Sequence, residues 1–78
     1  MPHTEEPKLT HGYEIHSEHH SALDFMGNHM NEHQVRQMVE RAKSGHSADF
    51  RITHDGHFGD FKLEHHDGKL VVHESHHN

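Results

Sequence analysis

Two Asp-Gly pairs, Asp55-Gly56 and Asp67-Gly68, punctuate the second half of the chain. Asp-Gly suits the two-residue type I′ hairpin turn, in which both central residues take positive φ. A two-residue turn fixes which residues face each other across the hairpin. Taking both turns literally, Phe50 faces Phe61, Ala48 faces Leu63, and Leu63 faces Val72. All of these fall on one side of a sheet. On the other side Arg51 faces Asp60 and Asp49 faces Lys62. Opposite charges meet although only the turns set the register. A slip of one residue would turn Phe61 and Leu63 outward. Residues 47–75 are therefore expected to form a three-stranded antiparallel meander. The segment His57-Phe58-Gly59 is its weak point, because it suits a longer loop as well.

Upstream, residues 32–44 carry the marks of a helix. Asn31 is a suitable N-cap, and Gln34 stands at the capping-box position. Met30 and Val35 stand where a hydrophobic staple would close. Val35, Met38, Val39 and Ala42 follow the i, i+3, i+4, i+7 spacing of one apolar stripe. Lys43 occupies the last turn, and Gly45 supplies a left-handed residue beyond it. Residues 9–16 alternate, with Leu9, Tyr13 and Ile15 on one face of a strand that Gly12 weakens. Residues 17–27 read either way, with Ser21 able to cap a short turn from Ala22 to Met26 that Gly27 ends. The expected fold class is α+β: a small single domain of β-α-β-β-β order, its C-terminal meander covered on one face by one helix. Its limits are 9–75, between polar tails at 1–8 and 76–78.

Such a domain has little to bury. Leu, Ile, Val and Phe number 14 among 78 residues, a proportion low enough to raise disorder for a charged chain. Small cores of this kind lean on disulfides, metals or association. The chain has no cysteine, which excludes disulfides and thiolate metal sites. It has 15 histidines and a net charge of −6 with those histidines neutral. Protonating all of them gives −6 + 15 = +9, so mild acidification reverses the sign. An acidic surface with seven scattered Lys and Arg argues against nucleic-acid binding. No apolar run is long enough to span a bilayer. The N-terminus lacks the basic and apolar regions of a signal peptide, so a cytoplasmic protein without a membrane role is expected.

Two histidine clusters share a spacing. His16-Ser17-Glu18-His19-His20 ends the first expected strand, and His73-Glu74-Ser75-His76-His77 ends the last. If those strands are parallel neighbours, His16, His19, His20, His73, His76 and His77 come together as ligands. Imidazole suits zinc, nickel and copper, and Glu18 and Glu74 add oxygen donors or hydrogen-bond acceptors. The plainer alternative is that strand-end and tail histidines are simply solvated. His54 and His57 flank the first turn and either chelate a metal or merely bracket it. His65, opposite Leu70, is expected to be partly buried. If His65 or the His54/His57 pair is held neutral in the fold, stability falls with acid, as from about pH 7.5 to pH 5. The stretch His29-Met30-Asn31-Glu32-His33 matches H-x-x-E-H, a zinc-peptidase spacing that needs one continuous helix. An N-cap at Asn31 breaks that helix, so the match is accidental.

No set of residues marks a nucleophile, oxyanion hole or phosphate loop. The expectation is a non-enzymatic protein that binds a divalent transition metal (zinc, nickel or copper) through surface histidines, with no organic cofactor. The alternative is an acidic protein-interaction module, a small bacterial or phage regulator or inhibitor. It would act on a protein partner or as a homodimer, its histidines conferring pH sensitivity.

Overall fold

The computed structural model describes residues 6–54 and 57–75. Five strands and two helices follow the order β1 (Glu6–Thr10), β2 (Tyr13–Ser17), α1 (His20–His29), α2 (Glu32–Lys43), β3 (Ala48–His54), β4 (His57–His66) and β5 (Lys69–Glu74). They form one mixed sheet in the spatial order β1-β2-β5-β4-β3. The α+β class and the meander are as expected. The meander's register matches residue for residue: Ala48 with Leu63, Asp49 with Lys62, Phe50 with Phe61, Arg51 with Asp60, and Leu63 with Val72. Pairing continues to His54 opposite His57, so the ladder includes the 57–59 segment and only two residues separate β3 from β4. Asp67 and Gly68 have φ of 51° and 77°, the left-handed pair a type I′ turn requires.

The first half is richer than the alternation suggests. Residues 9–16 are not one strand but a hairpin turned at His11-Gly12, whose φ values are 51° and 88°. Histidine tolerates this region better than most non-glycine residues, so His-Gly substitutes here for Asp-Gly. The turn inverts the side of Leu9. Leu9 pairs with Glu14 on the open face and is 78% exposed, whereas Tyr13 and Ile15 face the core. β1 also takes in residues 6–8 of the expected tail.

Of the ambiguous 17–27 stretch, Ser17 closes β2 and residues 20–27 belong to helix α1. Its N-cap is His19, with no side-chain cap, and Ser21 lies inside the helix. The cap is instead braced from outside: the His19 N–H donates to the buried Ser17 Oγ at 2.9 Å. Met30 takes an extended conformation between the helices, and Asn31 starts α2. The full capping box is present: the Gln34 N–H donates to Asn31 Oδ1 at 2.8 Å, and the Asn31 N–H donates to Gln34 Oε1 at 2.9 Å. At the other end the N–H groups of Gly45 and His46 donate to the carbonyls of Ala42 and Arg41. That is a Schellman closure, and Gly45 supplies its left-handed φ of 93°.

Both helices lie on one face. α1 contributes Ala22, Leu23 and Met26, and α2 contributes Val35, Val39 and Ala42. They meet Ile15, Ala48, Phe61, Leu63, Leu70 and Val72 from the sheet. Among the described residues no layer covers the opposite sheet face, and the candidate site lies there.

Candidate functional site

The condition on which the histidine pairing depended is met. β2 and β5 are parallel neighbours, with Ile15 beside Leu70, His16 beside Val71 and Ser17 beside Val72. Strand alternation then sorts the clusters onto different sides. Ile15, Ser17 and Val72 point into the core. His16 and His73 therefore point to the open face. His19 lies beyond β2 on the helix side. Its ring meets Phe61 edge-on at 5.5 Å, and its Nε2 stands 3.9 Å from Glu74 Oε1. His20 is exposed on α1. His76 and His77 lie outside the described residues, as do the side chains of His54 and His57. The parallel strand pair thus brings His16 and His73 to one surface and parts them from His19 and His20.

On the open face a third strand supplies the centre of the arrangement. Glu64 on β4 points outward, opposite Val71. Its Oε1 accepts hydrogen bonds from two imidazoles, His66 Nε2 at 2.8 Å and His73 Nε2 at 2.8 Å. His66 follows Glu64 by two residues on the same strand, and His73 arrives across the β4–β5 ladder. Two imidazoles sharing one carboxylate oxygen hold the Glu64 carboxyl below the ordinary carboxylate range. The His66 hydrogen bond is the larger cause, the His73 bond follows, and partial burial opposes both. His16 stands one strand further on the same face, half-buried, with Nε2 3.9 Å from Glu14 Oε2.

His65 does not take the expected place. It does face Leu70, yet it is exposed, because α2 ends at Lys43 and leaves the last residues of β4 uncovered. The burial from which acid lability through His65 was expected is absent. His65 borders a cleft of about 100 Å³ with His46, Ser47, Glu64 and His66. The H-x-x-E-H stretch is divided as its capping implied: His29 ends α1 and His33 lies in α2.

The Glu64-His66-His73 group was legible but overlooked. Glu64-x-His66 at strand spacing puts both side chains on one face. The same register that paired Leu63 with Val72 brings His73 alongside. The H-x-x-H-H repeat marks chain-local clusters, whereas this group forms across the β4–β5 ladder.

Among the described residues, no three His, Asp or Glu side chains stand ready-arranged to hold a metal ion. The Glu64 group is drawn together by hydrogen bonds, at 2.8 Å rather than at ligand spacing. A tetrahedral ion with bonds near 2.0–2.1 Å sets its ligand atoms about 3.3–3.4 Å apart. The group would have to open by about half an ångström, and each Nε2 proton would have to leave. Both imidazoles are roughly half exposed.

No family profile, curated protein or solved structure matches the chain. Among the described residues no helix is long and apolar enough to cross a membrane.

Proposed function

We propose that this protein binds a divalent transition metal, zinc, nickel or copper, without performing catalysis, at the open face of its sheet. The observation that carries the reading is the pair of 2.8 Å hydrogen bonds from His66 and His73 to one Glu64 oxygen. A carboxylate flanked by two imidazoles is a donor set that borderline metals favour. His16 is on the same face, one strand away. His76 and His77 follow closely in sequence and extend the supply of ligands. His19 and His20 belong to a separate, weaker group on the helix side.

Calorimetric titration with zinc, nickel and copper tests this. Replacing His66 and His73 together by alanine should remove the tightest binding event. Replacing His19 and His20 together should leave it intact. Equal loss from both pairs, or from neither, would mean that metal is held only by histidines at large.

A second reading, the acidic interaction module, is favoured by β3, an edge strand that carries neither proline nor lysine. Stoichiometric, chelator-resistant association would support that role over the metal-binding one.

A further inference from the structure

The sheet has two edges, and they are built differently. β1 carries Pro7 and Lys8, residues that discourage edge-to-edge pairing. Lys8 also forms an ion pair with Asp24 of α1, which ties that edge to the helix layer. β3, the other edge, reads Ala-Asp-Phe-Arg-Ile-Thr-His and contains neither proline nor lysine. It is a seven-residue strand whose outer side meets no other strand among the described residues.

Part of the apolar surface that the core leaves uncovered lies along this same edge. Met30, Met38, Phe50 and Ile52 are all half-buried against the core rather than within it. Between α2 and β3, Met30, Met38 and Phe50 border a groove of about 380 Å³, with Gln34, Arg41 and Ala48 beside them. Charge selects what fits. When β3 is laid antiparallel on itself about Phe50, Asp49 falls opposite Arg51 and Arg51 opposite Asp49. Ala48 then meets Ile52, and Phe50 meets its own copy. Opposite charges fall together on one face and apolar side chains on the other. Arg51 already donates to Asp60 from Nε at 2.8 Å and Nη2 at 3.4 Å, which holds the guanidinium at the strand's surface.

We propose that the outer edge of β3 pairs antiparallel with β3 of a second copy of this chain, about a two-fold axis at Phe50. The two five-stranded sheets then become one continuous sheet. The contact is isologous and closes on itself, so it gives a dimer rather than a fibre. It supplies a partner for the interaction reading and does not depend on metal. A single edge strand and its flanking patch make a small interface, so association belongs in the micromolar-to-millimolar range.

The test is sedimentation equilibrium of the full chain, with a chelator present, up to millimolar concentration. The expected result is a reversible shift toward twice the 9.1 kDa monomer mass. Asp49→Lys sets like charges together at both symmetry-related positions and should weaken the dimer about tenfold or more. Glu40→Lys, on the exposed side of α2, changes net charge equally and should not. Circular dichroism confirms that each variant folds. Because the chain has no cysteine, Phe50→Cys alone should cross-link two copies through one disulfide under oxidation. A chain still monomeric at millimolar concentration overturns the proposal. So does a dimer that Asp49→Lys and Glu40→Lys affect alike, or one that Phe50→Cys fails to cross-link. A dimer seen only when metal is added overturns it too, and assigns the contact to the histidine face.

Discussion

Glu64→Gln separates charge from hydrogen bonding at the centre of the open face. Glutamine keeps a carbonyl oxygen that can accept from both His66 and His73, so its effect isolates the carboxylate's charge. Both imidazoles are substantially exposed, with side-chain accessibilities of 63% and 45%. That puts each pair in the surface regime of about 0.2–1 kcal/mol rather than that of buried ions. Two such pairs come to about 1 kcal/mol once solvent screening is allowed for, and a domain this small loses roughly 4–8 °C of Tm for each kcal/mol. The carboxyl is held below its ordinary range in the fold. Its contribution is therefore complete above the unfolded value of about 4.3 and is lost as pH falls through the lower folded value. With a chelator present at about pH 5.5, where imidazole carries substantial charge, Glu64→Gln should melt several degrees below the wild type. Carboxyl carbon chemical shifts followed by NMR should show Glu64 titrating below about 4.3, and the gap in Tm should close over the same interval. A Glu64 that titrates at or above that value, or a variant that melts with the wild type at mildly acidic pH, would refute the reasoning.

Further outcomes follow from the fold. Leu63 is fully buried on β4, between Ala48 and Val72. Leu63→Ala should cost about 3–5 kcal/mol by chemical denaturation, a large share of the roughly 4–12 kcal/mol expected for a chain this size. Asn31→Ala removes one arm of the capping box and should cost about 1 kcal/mol, with the loss of helicity centred on the first turn of α2. Gly68→Ala meets no atom within 4 Å, yet its φ of 77° belongs to the left-handed region. It should destabilise by about 1 kcal/mol through backbone strain alone, a loss that Gly27→Ala, in α1, should not share.

What could be read in advance follows a physical division. Short-range rules settled the second half. Asp67-Gly68 fixed a turn, the turn fixed a register, and the register placed Leu63, Val72, Arg51 and Asp60. Asn31 and Gln34 likewise marked the start of α2 because a capping box is local chemistry. The first half resisted because its signals are substitutes for the usual ones. His11-Gly12 turns the chain as Asp-Gly does, through a histidine that accepts positive φ. α1 begins without a side-chain cap at His19 and is braced by Ser17 from the preceding strand, a contact that spacing does not announce. Leu9 looked like core only because the turn after it was missed. For the candidate site, parallel pairing of the first and last expected strands was a condition that spacing left open; it is met, but strand alternation sends His16 and His73 to one face while His19 follows the chain to the other.

The position of β5 ties the site to the fold. This six-residue strand comes last in sequence yet lies centrally, parallel to β2 on one side and antiparallel to β4 on the other. It sends Leu70 and Val72 into the core and presents His73 to Glu64. The core and the imidazole-carboxylate group are therefore completed by the same docking event. An unfolded chain has the same 15 histidines but cannot bring His73 to Glu64 and His66. A metal that prefers the assembled face must then stabilise the fold, by about 2.7 kcal/mol when its concentration reaches a hundred times Kd. For this chain that corresponds to a rise in Tm of roughly 10–20 °C. A thermal melt with and without zinc, nickel or copper should show that rise in the wild type and lose most of it in the His66→Ala/His73→Ala variant. Metal that binds in calorimetry yet leaves Tm unchanged must bind folded and unfolded chains alike, as ligands scattered along a flexible peptide would. That result would remove the open face of the sheet from any role in binding.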